Sequence, residues 1–298
     1  MKLSSIPNSL GHKIIRNGAF RALGKINHSK SGLLVFVESA DYIHSLSSNK
    51  NITAVICTDG LASDIPRSLS LVTSRDPRLL FYDLHEYLFS DTDFYGEDCQ
   101  TKIHDTAKVH PSACVATRGV VIGENTVIEA GVVLHQGTVI ESSVIVRSGA
   151  VIGAEGFEFF KKADVLNAVT HAGGVLLKKN SEVQSGTVIE KAVYGGNTVI
   201  GANTKIGSNA LIAHNTSIGD SCLLAGGVTV SGNVIIENGV WIGPSATISN
   251  GITIQRNARV SLGAIVVRTV KQDKSVSGIF ATDKHRVFKF MSRSGLIT

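Results

Sequence analysis

The chain has 298 residues, 43% of them apolar, with 30 glycines and a net charge of +5. This suits one large domain or two ordinary ones with a sizeable core. Its four scattered cysteines (Cys57, Cys99, Cys114, Cys222) have no CxxC spacing, so a disulfide framework or zinc site is not expected. No long apolar run is visible, so neither a transmembrane span nor a signal peptide is expected, and the protein is placed in the cytoplasm.

Residues 1–100 read as a small α/β domain. LLVFVES, from Leu33, and NITAVICTDG, from Asn51, read as buried strands. PRLLFYDLHEYLF carries Leu79, Leu80, Leu84 and Leu88 at helical spacing behind Pro77.

Residues 101–267 follow a different rule, an aliphatic residue every six positions. One run is Ile103, Val109, Val115, Val121, Val127, Val133, Val139, Ile145 and Val151; another extends in steps of six from Ile200 to Val266. A short run, Leu177, Val183 and Ile189, lies between them in a different register. Six matches neither the helical period nor the strand period. It fits a solenoid of about eight coils, each of about 18 residues in three flat faces, with one inward aliphatic per face. A β-sandwich would not hold one register over this length. Gly123, Gly153, Gly201, Gly207, Gly219 and Gly243 recur beside the aliphatic positions and predict tight bends between faces. The period breaks at Ala154–Gly174 and Ala192–Thr198, and such insertions map to loops on one face of a solenoid.

Residues 268–298 carry seven Lys/Arg against Asp273 and Asp283, and a short helix is expected at about Asp283–Ser292. No aromatic platform or helix-turn-helix pattern points to nucleic acid. The tail suits an anionic protein or phosphate-bearing carrier, or is a solvated helix.

The six-residue period resembles that of the hexapeptide-repeat acyltransferases, which fold as left-handed parallel β-helices. Over nearly the whole chain the order of parts resembles the UDP-3-O-acylglucosamine N-acyltransferase family of lipid A synthesis. The stretches that carry this are GHKIIRNGAF, LLVFVESADYIHSL, DPRLLFYDLHEYL, IHDTAKVHPSA, VIGAEGFEFF, HAGGVLL, IAHNTSIGD, AGGVTVSG and SGIFATDKHRVFKF. The resemblance implies a homotrimer with sites between prisms and a uridine-binding N-terminal domain. It also implies transfer of an acyl group from acyl carrier protein or coenzyme A to a UDP-linked amino sugar.

The resemblance makes His214, in IAHN, the general base, and adds Asn215 beside it on the substrate side. Two positions after inward Ile212, His214 is expected to leave the prism surface, and a neutral imidazole can take a proton from an attacking amine. Phe36, Ser39 and Tyr42 occupy the uracil-binding positions, with Ser39 where the family has asparagine. The turn Ala225-Gly226-Gly227 could supply backbone donors to the thioester oxygen, and Gly232 and Gly243 could leave room for a pantetheine arm. Two family positions differ: Gly207 replaces an aspartate seven residues before the base, and Gly251 replaces a second histidine. His104, His110, His135, His171 and His285 are read as ordinary residues, although His171 could approach the acceptor and His285 could contact donor phosphate. No metal and no permanently bound cofactor are expected. Alternatives are a divergent sugar N-acyltransferase using acyl-coenzyme A for surface polysaccharide, and a non-catalytic solenoid binding sugar nucleotides. A gamma-type carbonic anhydrase needs zinc-binding histidines whose spacing is not seen.

Overall fold

The structure is a computed structural model that describes residues 1–28, 30–96, 99–278 and 284–294. The N-terminal part is a five-stranded sheet: β1 (Lys13–Arg16), β2 (Ala22–Leu23), β3 (Leu33–Phe36), β4 (Ile52–Cys57) and β5 (Ser70–Thr73). Their order is β1-β5-β4-β3-β2, with β1 antiparallel to β5 and the other pairs parallel. Helix α1 (Ile43–Ser48) follows β3, and α2 (Pro77–Ser90) packs on the sheet. Asp76 caps α2 by accepting from the Leu79 N–H at 2.8 Å, and Pro77 opens its first turn. Leu80, Phe81, Leu84 and Leu88 are its buried face.

From Lys102 onward the chain winds into three parallel sheets of nine, eight and eight strands, the left-handed parallel β-helix. Each strand pairs with the one a coil later, as Val127 does with Ile145. The inward aliphatics form one continuous column of buried, mostly branched side chains. Every member of the Ile200-to-Val266 series is buried, as are Leu177, Val183 and Ile189.

The first series needs a correction. From Val121 on, the counted residues lie half-buried on the outer side of their strands, and Ile122, Ile128, Leu134, Ile140, Val146 and Ile152 face the core. The cause is one extra residue in the first coil: Ile103 pairs with Ile122, where an uninterrupted count would pair it with Val121. Paired aliphatics such as Val121-Ile122 hide that slip, because either residue satisfies a count of six.

Gly153, with φ 86°, is a left-handed bend as expected, but Gly123, Gly201, Gly207, Gly219 and Gly243 have a different cause. A Cβ on Gly201 would lie 2.2 Å from the Gly219 carbonyl oxygen, and one on Gly207 would lie 2.4 Å from the Gly226 nitrogen. Backbones of stacked coils touch there, so a side chain is excluded by contact. The bends themselves sit at left-handed corners such as Asn203, Asn209, Asn215, Ser221, Gly227 and Asn233, with φ between 55° and 69°. Asn, Ser and Gly recur there because they tolerate positive φ.

The last strand, Ser275–Val276, continues the nine-stranded sheet past the end of the hexad count. The tail helix α3 spans Lys284–Arg293; Asp283 and the side chain of His285 lie outside the described residues.

Both breaks leave the coil and rejoin it in register. Ile140 pairs with Leu177, so the whole of the first insertion is looped out of a single coil. It carries an antiparallel hairpin, Phe159–Lys162 with Val165–Ala168. Leu177 pairs with Ile200, so the shorter second insertion is looped out in the same way. Phe160 and Val169 from the first, and Val193 and Tyr194 from the second, are buried in the same cluster as Phe20, Leu34 and Phe81. The insertions are therefore where the N-terminal part is fixed to the solenoid.

Replacing Gly201 by Ala should destabilise the protein by about 1–3 kcal/mol through backbone overpacking. Gly60→Ala, where an added Cβ meets nothing within 4 Å, should change stability by less than about 0.5 kcal/mol. Denaturant unfolding of the two variants checks this; equal stability would contradict the contact argument.

Candidate functional site

His214 stands at the coil corner that follows the strand Leu211–Ile212. It does not project freely from the prism: it is only 5% exposed. One coil later, Gly232 lies against its ring, where an added Cβ would be 2.6 Å from Cε1. The His214 backbone N–H donates to Glu190 Oε2 at 3.0 Å. Its Nδ1 faces Asn215 Oδ1 at 3.2 Å, and that oxygen also accepts from the Val193 N–H at 3.0 Å. An acceptor opposite Nδ1 assigns the proton to Nδ1 and leaves the lone pair on Nε2.

Nε2 faces a carboxylate. Glu158 Oε2, from the first insertion, is 3.6 Å away, beyond a direct hydrogen bond. Glu158 Oε1 accepts from Lys25 Nζ at 3.1 Å and from the Tyr82 hydroxyl at 3.3 Å. Burial, and then the Glu158 charge, push the Tyr82 phenol up from its ordinary value. The imidazole and carboxylate thus both present acceptors to a shared gap, and a donor carrying two protons would satisfy both.

Residues Gly24–His28, with Lys30, close the other side. The Lys25 N–H donates to His28 Nδ1 at 3.2 Å, so His28 Nε2 carries the proton and donates to Asn233 Oδ1 at 2.9 Å. Asn233 Nδ2 is buried without a partner, which marks it as a spare donor one residue from Gly232. Burial lowers the His28 pKa to about 4, despite the opposing effect of the bond to Asn233. Lys30 Nζ donates to the Tyr194 carbonyl at 2.8 Å, and burial lowers its pKa to about 8.

His171, read from sequence as an ordinary residue, lies edge-on to His214 with ring centroids 5.7 Å apart. Its Nδ1 donates to the Val169 carbonyl at 2.9 Å and its Nε2 accepts from the Gly156 N–H at 3.1 Å. Both nitrogens are engaged, and burial lowers its pKa, so it clamps the insertion as a neutral ring.

A cavity of about 710 Å³ opens beside this cluster, lined by Lys25, His28, Phe36, Tyr42, Asn51 and Arg78 among others. Phe36 packs on Phe81 at 5.1 Å, with the Arg78 guanidinium 5.7 Å from its ring centre. Arg78 is in turn paired with Glu38. Tyr42 is exposed at the rim. Ser39 is outside the lining: it caps the turn Ala40–Tyr42, its hydroxyl donating to Asp41 Oδ2 at 2.9 Å.

Within this chain, Gly232 meets His214, whereas Gly226, Gly227 and Gly243 belong to another corner column. Gly226 and Gly243 lie in the stack of Gly207 and Ser261, and the Gly227 N–H is already donated to the Ser208 carbonyl at 2.9 Å. Asn215, expected on the substrate side, uses its carboxamide oxygen to orient His214 and hold Val193. Gly251 is a left-handed corner, and an added Cβ there would be 3.8 Å from Asn27 Nδ2. The close contact at Gly207 excludes an aspartate side chain.

Sequence reasoning missed Lys25, His28, Tyr82, Glu158, Glu190 and Asn233. Adding one coil to Asn215 would have found Asn233, beside Gly232. Glu158 sits in the quoted VIGAEGFEFF stretch, but nothing in the period says which insertion residue turns inward.

Residues 197–232 match the bacterial transferase hexapeptide (six repeats) family. Residues 112–136 and 233–268 match the hexapeptide repeat of succinyl-transferase. Among solved structures, the UDP-N-acetylglucosamine acyltransferase of Francisella novicida is similar at 21% identity, covering 65% of this chain and 72% of that one, with a TM-score of 0.51. The Campylobacter jejuni UDP-N-acetylglucosamine acyltransferase matches at 21% identity over 65% and 83% of the two chains, TM-score 0.49. A point mutant of perosamine N-acetyltransferase from Caulobacter crescentus, in complex with CoA and GDP-perosamine, matches at 15% identity over 82% and 74%, TM-score 0.28. The chain resembles the hexapeptide-repeat acyltransferases and shares their fold. Among the described residues, no helix is long and apolar enough to cross a membrane.

Because the folded-state pKa of His28 is near 4 and the unfolded value near 6.5, the unfolded chain binds the extra proton between these values. Stability from this residue is present above pH 6.5 and is lost as pH falls towards 4. His28→Gln should remove up to roughly 3 kcal/mol of that acid-side loss. Unfolding measured from pH 7 to 4 tests it, and identical slopes for both proteins would contradict it.

Proposed function

We propose that the protein is an N-acyltransferase, moving an acyl group from a thioester carrier to the amine of a UDP-linked amino sugar. The carrier is acyl carrier protein or coenzyme A, and the working form is a homotrimer in the cytoplasm. The observation that carries this reading is the His214 imidazole, with its Nε2 lone pair held in a buried gap opposite Glu158. The neighbouring cavity, with Phe36 and Tyr42 in its lining, has the size and aromatic character suited to a nucleotide.

The chemistry follows from those positions. The amine nitrogen attacks the thioester carbon, and the carbonyl π pair moves onto oxygen. His214 Nε2 takes a proton from the nitrogen, and Glu158 stabilises the resulting imidazolium. The oxyanion collapses, the C–S bond breaks, and the leaving sulfur takes the proton back from His214. The products are an amide and a free thiol. We assign the oxyanion to the backbone at Gly232, which stacks on the His214 ring, and to the unpartnered Asn233 Nδ2–H.

His214→Ala should lower the rate of amide formation at least about 100-fold, as expected for loss of a general base. Product amide is followed by mass spectrometry with a UDP-amino sugar and acyl thioesters. An unchanged rate removes His214 from the mechanism.

A further inference from the structure

Lys25 belongs to two places at once. It lines the cavity that holds Phe36 and Tyr42, and its Nζ lies 3.1 Å from Glu158 Oε1. The other oxygen of that carboxylate is the one facing His214. Lys25 therefore puts an ammonium on the carboxylate where a reacting amine must come. Of Lys25 and Arg78, the Lys and Arg of the lining, Arg78 is paired with Glu38, away from His214. Lys25 alone of the pair can leave the carboxylate for a ligand in the cavity. Its side chain is 34% exposed, so its flexible stem has room to swing.

An acceptor amine arrives largely as an ammonium at neutral pH, and it gives its extra proton to water before it attacks as the neutral amine. Two ammonium groups on one buried carboxylate repel, so one must go. Lys25 leaves more readily when a new anion takes it, because a half-buried cation gains by having a partner. A phosphate between the cavity and the reacting amine is such an anion.

We infer that Lys25 and Glu158 form an exchangeable ion pair that selects acceptors bearing both an amine and an anionic phosphate linker. The amine, on the oxygen that faces His214, replaces Lys25 as the cation paired with Glu158, and the linker takes Lys25. The inference rests on the acyltransferase reading above and adds a rule for its acceptor. No covalent bond changes in the exchange. An amino sugar without a phosphate has nothing to offer Lys25 and must compete with it for Glu158.

The test is the ratio of kcat/KM for a UDP-amino sugar to that for the same sugar without the nucleotide, in wild type and Lys25→Met. Methionine keeps the stem and removes the charge. The variant should fall by about tenfold with the UDP-amino sugar, through KM, and should rise with the free amino sugar, whose competitor is gone. A purely structural role would lower both together. A fall in the ratio of about fivefold or more together with a rise for the free amino sugar supports the exchange; a smaller change, or a fall without that rise, overturns it. Lys25→Gln, read by the same ratio, serves if the methionine variant does not fold. If wild type acylates neither sugar, the acyltransferase reading fails. Calorimetry with UDP then decides the role of Lys25 separately: affinity at least about fivefold weaker in the variant retains the phosphate contact, and equal affinity, or no UDP binding by wild type, overturns it.

Discussion

A carboxylate with only 15% of its side chain exposed, as in Glu158, must be partnered. Its partners are Lys25 and Tyr82, and its other oxygen faces His214 across a gap. Lys25 and Tyr82 belong to the N-terminal part, His214 to a coil corner, and Glu158 itself to the insertion between coils. This one group holds the parts in the arrangement that makes a site. Without it, Lys25 would be left without its carboxylate and His214 Nε2 would lose the charge it faces. The aromatic cluster of Phe81, Tyr82, Phe160 and Tyr194 supplies the apolar packing that keeps the carboxylate in place.

The solenoid contributes rigidity and a fixed stacking interval. One coil of stacking puts Gly232 over His214 and Asn233 over Asn215, so corner side chains form columns. The insertions leave this stacking intact because each rejoins the coil in register. The site can therefore be built on loops while its base stays on a scaffold closed by parallel pairing on three faces.

Much of the fold was legible in the sequence because the six-residue period is a direct consequence of coil geometry. Its failure in the first coils is instructive. Val121-Ile122 and the doublets after it let a count of six run on after the true register had slipped by one, and burial alone separates the two. The glycines were visible but their reason was not, since contact between successive coils depends on three-dimensional stacking. The family resemblance pointed to His214 through the IAHN stretch, and to Phe36 and Tyr42 at its uracil-binding spacing; the structure puts the first in the buried gap and the other two on the cavity lining. Ser39 has that spacing too, but its hydroxyl is used to cap a turn. Lys25, His28 and Glu158 carry no periodic signal, because they meet only when loops from distant parts of the chain fold onto one corner.

The central claim is that Glu158 and His214 work as one unit. A double-mutant cycle on the rate of amide formation, with Glu158→Gln, His214→Ala and the two combined, measures this directly. The account predicts that Glu158→Gln slows wild type but costs nothing further once His214 is gone. Losses that simply multiply would contradict it, and would mean that the carboxylate and the imidazole act independently.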